Sequence, residues 1–278
     1  MAHLLELSDA EFTRIRQLVY SKFGINLTDQ KRALVLGRLN KVLRDKGFNT
    51  FSEYYDYVTD DTSGKALSTL IDRISTNHTF FWRESDHFEY FANATLPDWV
   101  QRLRTISQKK FRIWIAGSSS GEESYLIAML MREMLGKDLP QWDVGILATD
   151  ISVTALEKAI RGVYTPENVN HLPDKLKINY MQQLPDGNWE VRDEIRQMVV
   201  YRRLNLMRPD FPFKGSFQVV FCRNVMIYFD RPTRDALIRK FHAYMDKGAT
   251  LFIGHSETLG RTNSLFQYIK PAIYRRIG

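Results

Sequence analysis

Two adjacent carboxylates, Glu122 and Glu123, open a helix-like run directly behind the turn Gly117-Ser118-Ser119-Ser120-Gly121. The segment FRIWIAGSSSGEESYLIAML reads as a buried strand, a tight turn of small residues and a helix. In open α/β sheets such a turn lies where ligands bind, at the carboxyl ends of the strands. The turn is not G-x-G-x-x-G, and no lysine follows it as in a phosphate-binding P-loop. A helix N-terminus attracts anions, yet two glutamates occupy the place of a phosphate and would repel one. They suit a ligand that lacks phosphate and carries a cation, such as S-adenosylmethionine. They also suit the helix alone, because acids in a first turn complement its dipole.

Asp150 ends the next strand-like run, DVGILAT, at the same sheet edge. A carboxylate there can accept both ribose hydroxyls. The alternative is an N-cap for the following helix, with Ser152 and Thr154 close by. Taken together, the turn and Asp150 favour an adenosine-containing ligand.

The elements that must position these groups follow two grammars. From Ser8 to about Ile74 the chain reads as helices only. SDAEFTRIRQLVYSKFG opens on a capping box, Ser8 with Glu11, and stops at Gly24. TDQKRALVLGRLNKVLRDKG has Thr28 as cap and Gly47 as stop, and two short helices follow. From Phe111 onward, strand-like runs (FRIWIA, DVGILAT, MVVYRR, FQVVFC, ATLFIG) alternate with helix-like ones. That alternation predicts an α/β fold, a mostly parallel doubly wound sheet. A last helix is expected from Asp230-Arg231-Pro232 to a stop at Gly248, and FQYIKPAIYRRIG is expected to close the sheet edge as a hairpin. The interval of about 163–197 is too long for a plain connection and holds the turn Pro185-Asp186-Gly187-Asn188, which predicts a small β insertion. The domains are therefore 1–75, helical, and 76–278, carrying the sheet.

Composition narrows the function classes. Hydrophobic content of 44% with 26% charged residues suits a soluble globular protein. No apolar run approaches the roughly 20 residues needed to span a bilayer, and MAHLLELSDAEF does not read as a secretory signal. A single cysteine, Cys222, excludes an intrachain disulfide and a cysteine metal cluster, and fits a cytoplasmic setting. The net charge of +7 favours acidic partners. Much of it lies on the second helix, where Lys31, Arg32, Arg38, Lys41, Arg44 and Lys46 face few acids, so that helix is a candidate docking surface.

Four stretches then carry a resemblance: TNHTFFWRE (Thr76 to Glu84), AGSSSGEESY, CRNVMIYFD (Cys222 to Asp230) and GHSE (Gly254 to Glu257). In this order and at these separations they resemble the chemotaxis receptor methyltransferases of the CheR type, over nearly the whole chain. The resemblance implies an S-adenosylmethionine-dependent protein-glutamate O-methyltransferase. Its expected partner is the cytoplasmic domain of membrane chemoreceptors, and the expected products are glutamyl methyl esters and S-adenosylhomocysteine. It implies an all-α N-terminal domain before a methyltransferase sheet with a β insertion. It implies no metal, no nucleic acid and no membrane insertion, and a monomeric cytoplasmic enzyme recruited to receptor arrays.

Carried over residue by residue, Asn77, Thr79 and Arg83 are expected to contact the cofactor from the segment between the domains. Gly117 gives the turn its close backbone approach, one or both of Glu122 and Glu123 face the methionine part, and Asp150 the ribose. Asn205 and Leu206 border the adenine, Arg223 and Asn224 close the pocket, and Tyr228 lies near the transferred methyl. Arg83 and Tyr228 are the expected catalytic residues, the first guiding the acceptor carboxylate and the second orienting a reactant. Ser118, Ser120, Ser124, His78 and Trp82 depart from the residues usual in the family, and His78 is expected to pack rather than act as a base. The short hairpin at Asp186-Gly187 implies an enzyme that works without a receptor tether peptide.

Among rivals, a base-amine methyltransferase is disfavoured because CRNVMIYFD lacks the Pro-Pro motif that holds a flipped base. A nicotinamide oxidoreductase lacks its glycine fingerprint. A cofactor-binding regulatory module without turnover stays open, as does another acidic substrate.

Overall fold

The computed structural model describes residues 5–75, 77–260 and 263–278. Thr76, where the first motif begins and the domain boundary was expected, lies outside the described residues.

Four helices make the N-terminal domain: α1 (Asp9–Phe23), α2 (Arg32–Lys46), α3 (Phe51–Asp60) and α4 (Lys65–Ile74). The capping box forms as expected, with Ser8 accepting from the Glu11 N–H and the Glu11 carboxylate accepting from the Ser8 N–H. Gly24 ends α1 at φ 69°, a left-handed conformation that a residue with a Cβ resists. The apolar faces meet in one cluster around Phe12, Val19, Leu39, Phe51, Tyr54 and Ile71. Thr28 does not cap α2 with its side chain: the chain first makes a 3₁₀ turn, Asp29–Lys31, closed by the Lys31 N–H on the Thr28 carbonyl, and α2 begins at Arg32.

Ahead of the sheet, and packed into its core, run α5 (Ser85–Tyr90), a π turn (Phe91–Thr95) and α6 (Leu96–Thr105). The sequence reading assigned no element there.

The large sheet has strands β1 (Lys110–Ala116), β2 (Asp143–Asp150), β6 (Val199–Arg203), β7 (Phe217–Cys222), β8 (Met245–Ile253), β9 (Phe266–Lys270) and β10 (Ile273–Arg276). Their order is β6-β2-β1-β7-β8-β10-β9, parallel up to β8 and antiparallel beyond it. Helices α7 (Glu122–Leu135), α8 (Val153–Arg161) and α12 (Arg231–Ala243) make the crossovers. The chain walks outward from β1 through β2 to β6 and then restarts on the other side at β7. The switch point is thus between β1 and β7, and the crevice beyond their carboxyl ends is where a ligand belongs. Trp114 of β1 is fully buried, donates its indole N–H to Thr149 Oγ1 at 2.9 Å and is ringed by Phe211, Phe213, Phe217 and Phe241.

The insertion is a three-stranded antiparallel sheet, β3 (Val163–Tyr164), β5 (Trp189–Val191) and β4 (Met181–Gln183), with short helices α9 (Pro166–Val169), α10 (Asp174–Tyr180) and α11 (Asp193–Arg196). Its tip is the expected turn, with Leu184 and Asn188 hydrogen-bonded and Gly187 at φ 86°. One boundary differs. Helix α12 ends at Ala243, and Gly248 lies inside β8 at φ 78°. Pairing of β7 with β8 jumps from Phe217↔Met245 to Val219↔Thr250, so the glycine serves a bulge and does not stop a helix.

Candidate active site

The turn after β1 is fixed by its own backbone. Gly117 and Ser118 both donate to the Thr149 carbonyl, at 2.8 and 2.9 Å, and Gly121 donates to Ser118. Gly117 and Gly121 sit at φ 91° and 98°. A Cβ on Gly117 would lie 2.3 Å from Val225 Cγ2, and one on Gly121 within 2.9 Å of Ala159 and the Tyr201 and Tyr164 hydroxyls. Only glycine permits this approach of the turn to the loop after β7.

The turn separates the two glutamates. Glu122 points under it, 1% exposed, with both carboxylate oxygens receiving the Ser120 hydroxyl at 2.8 and 3.0 Å. Burial pushes its carboxyl up to about 7. Glu123 faces a cavity, where the Arg223 guanidinium holds it. Burial pushes the Glu123 carboxyl up as well, against the pull of Arg223.

Asp150 accepts the Ser119 N–H and the Ser152 N–H, each at 2.8 Å, one on each oxygen. It is 8% exposed, and burial raises its carboxyl above the ordinary range. The cap of α8 is Ser152, whose hydroxyl receives the Ala155 N–H, so Asp150 is not needed for that purpose. Each of its oxygens keeps a lone pair for a further donor.

The loop after β7 carries Arg223, Asn224 at φ 58° and a 3₁₀ turn Met226–Tyr228. Glu257 of the GHSE motif organises it, accepting from the backbone N–H groups of Asn224, Ile227 and Gly254. Sequence reasoning named the motif without giving that glutamate a task. Arg223, its side chain 3% exposed, bonds Glu123, Glu84 and the Arg83 carbonyl.

These pieces wall one cavity of about 320 Å³, within the roughly 300–1,000 Å³ typical of small-molecule sites. Asn77, Thr79, Arg83, Gly117, Glu123 and Asp150 line it, as do Asn205, Leu206, Arg223, Asn224 and Tyr228. Of the residues expected around the cofactor, Glu122 is not on the wall. His78 is on the wall and exposed, its ring 6.0 Å from that of Phe80 and its carbonyl accepting Arg83 Nη1 at 2.9 Å. Asn205 spends an amide hydrogen on the Lys22 carbonyl of the N-terminal domain, at 2.7 Å.

Sequence reasoning missed that the N-terminal domain closes this cavity. Phe23, Ile25, Leu27 and Lys31 line it, Ile25 bridges to Phe229, and the Asn26 N–H bonds the Tyr228 carbonyl at 2.8 Å. Lys31 Nζ stands 4.8 Å over the Tyr228 ring. The only signal was the apolar alternation of Phe23, Ile25 and Leu27, running from the end of α1 into the connection behind it.

Chemically, the cavity joins a carboxylate at each of two places, Glu123 and Asp150, with a mostly apolar wall, the Lys31 ammonium over the Tyr228 ring, and Arg83 elsewhere on the wall. That donor set suits a phosphate-free ligand with hydroxyls and a cationic group.

Comparison with known proteins agrees. The family description "CheR methyltransferase, SAM binding domain" matches residues 77–274, and "CheR methyltransferase, all-alpha domain" matches 10–75. A chemotaxis protein methyltransferase of Borreliella burgdorferi is 43% identical over 98% of this chain and 96% of its own. One of Escherichia coli is 35% identical over 99% of this chain and 93% of its own. A probable chemotaxis protein methyltransferase of Rhizobium etli is 35% identical over 93% of this chain and 96% of its own.

Proposed function

Because the chain belongs to the CheR methyltransferase family, we propose that it esterifies glutamate side chains on the cytoplasmic helices of membrane chemoreceptors. Methylation in chemotaxis, with S-adenosylmethionine as donor, is what the family itself carries. The choice of a glutamate acceptor is supported by one observation: Lys31 Nζ stands 4.8 Å over the Tyr228 ring in a cavity that Arg83 also lines, so an incoming carboxylate would meet cations there.

An acceptor carboxylate has an ordinary pKa of about 4.3, so it is already ionised at neutral pH and needs no base. S-adenosylmethionine, when bound, supplies an electrophilic methyl on a sulfonium leaving group. The protein must position and partly dehydrate the incoming carboxylate. In this reading Asp150 accepts the ribose hydroxyls, and Glu123 faces the cationic methionine part. Asn77, Thr79, Gly117, Asn224 and Leu206 shape the remainder, with Asn205 beside the adenine. Arg83, held by the His78 carbonyl, draws the acceptor in, and Tyr228 orients it.

Helix α2 presents the exposed Lys41, Arg44 and Lys46 to acidic receptor helices, while Arg32 pairs with Asp9 and Arg38 bonds the Arg73 and Ile74 carbonyls within the domain. The chain works as a cytoplasmic monomer at receptor arrays, and no helix among the described residues is long and apolar enough to cross a membrane. The short β4–β5 hairpin, three residues a side, supports methylation without a receptor tether.

Calorimetry with S-adenosylmethionine and S-adenosylhomocysteine, then labelled-methyl transfer to receptor-containing membranes, tests the reading. Base-labile methyl esters, formed equally on receptors lacking their C-terminal peptide, are expected. Binding without ester formation would leave a regulatory module, and no binding would end the proposal.

A further inference from the structure

We propose that Glu84, His87 and His255 form a binding site for a divalent transition-metal ion, best matched by zinc, against the outer side of the Arg223 wall. Each residue offers one ligand atom, and these atoms all lie within 4.8 Å of one another. The independent sign is His87. Its side chain is wholly buried, yet neither ring nitrogen has a hydrogen-bond partner. Its Nδ1 lies 3.6 Å from Glu84 Oε2, beyond a hydrogen bond but near the ligand–ligand spacing of a tetrahedral ion with bonds of about 2.0–2.2 Å.

The rest of the cluster fits that occupant. The ring of His255 meets that of His87 edge-on, with centroids 4.6 Å apart. His255 is exposed, which gives an ion a way in. Its Nε2 lies 3.0 Å from the Asp86 carboxylate, the kind of outer partner that orients a metal-bound imidazole. Glu84 is held at φ 56°, a conformation uncommon for a residue with a side chain, and its carboxylate also accepts the His255 N–H at 3.3 Å. Two imidazoles and one carboxylate select zinc or its neighbours over calcium and magnesium, which prefer shells of oxygen.

The site is coupled to the cavity through Glu84. That carboxylate also accepts Arg223 Nη2 and Asn224 Nδ2, both at 3.1 Å. An ion drawing on Glu84 loosens Arg223, which in turn holds Glu123. Zinc therefore weakens occupancy of the methyl-donor cavity, a consequence that rests on the function proposed above.

The test titrates zinc chloride calorimetrically into the full ligand-free chain, with cobalt(II) absorption as a second probe. One equivalent is expected to bind, with at least tenfold weaker affinity in both His255→Ala and His87→Phe. The phenyl ring keeps the buried aromatic packing of His87 while removing both nitrogens. No binding, binding unchanged in either variant, or loss in only one would overturn the site. If circular dichroism shows His87→Phe unfolded, the surface variant His255→Ala decides alone. Zinc is then expected to weaken S-adenosylhomocysteine binding at least threefold in the parent chain and not in His255→Ala. Zinc bound as described without that change would overturn the coupling.

Discussion

An α-helix turns through about 100° per residue, and here that turn sets Glu123 on the cavity and leaves Glu122 off its wall. Glu122 is the buried one, and its raised carboxyl has a measurable consequence. Between its ordinary value and about 7 the folded chain keeps a proton that the unfolded chain has lost. Stability from this group is therefore full below the ordinary value and falls as pH rises through that window. Glu122→Gln, which still accepts from Ser120, should melt with the parent at pH 4.5 and several degrees above it at pH 8. Equal melting temperatures at both would refute the buried-acid reading. Arg223 is the opposite case, a buried cation shared by Glu84 and Glu123. Arg223→Ala should destabilise the chain by about 3–5 kcal/mol in urea unfolding, because two carboxylates lose their partner. A loss below about 1 kcal/mol would show that water reaches both. The residue types at this site were legible in sequence. Which glutamate faces the cavity was not, because helix phase depends on the left-handed backbone of Gly121.

Within the sheet domain, elements meet at the site where the Gly117 turn closes on the loop after β7. Gly117→Ala brings a Cβ to 2.3 Å from Val225 Cγ2 and strains a backbone at φ 91°. We expect S-adenosylhomocysteine affinity to fall at least tenfold. Adding Val225→Ala should recover part of that loss, since it relieves the contact and leaves the strain. Equal affinities for the single and double variants would place the effect in the turn alone. The strands around this approach were readable as apolar runs between turn signals. The α5–α6 stretch was not, because Glu84 enters α5 in a left-handed conformation without a side-chain cap and a π turn breaks the helical period. Gly248 misled for a related reason: a glycine at positive φ marks a bulge as readily as a helix end.

At the scale of the whole molecule, the N-terminal domain is a wall of the cavity as well as the proposed docking surface. That contact joins residues about 200 positions apart, Asn26 with Tyr228 and Tyr20 with Asp230, and no local pattern in a sequence encodes it. Lys31 is where the two roles meet. It belongs to the 3₁₀ turn before the basic helix, and it also stands over the Tyr228 ring on the cavity wall. Burial lowers its ammonium below the ordinary lysine range, as expected for a charge drawn partly out of water. A cation so placed attracts an acceptor carboxylate more strongly than an exposed one, and less of its pull is screened by salt. Lys31→Met keeps the stem and removes the charge. It should lower kcat/KM for receptor membranes about tenfold while leaving S-adenosylhomocysteine affinity within twofold. Raising salt should slow the parent by weakening the exposed charges of α2, and the tenfold ratio between parent and variant should persist. A ratio that collapsed to one in high salt would return Lys31 to the exposed docking surface and leave Arg83 as the cation that guides the acceptor.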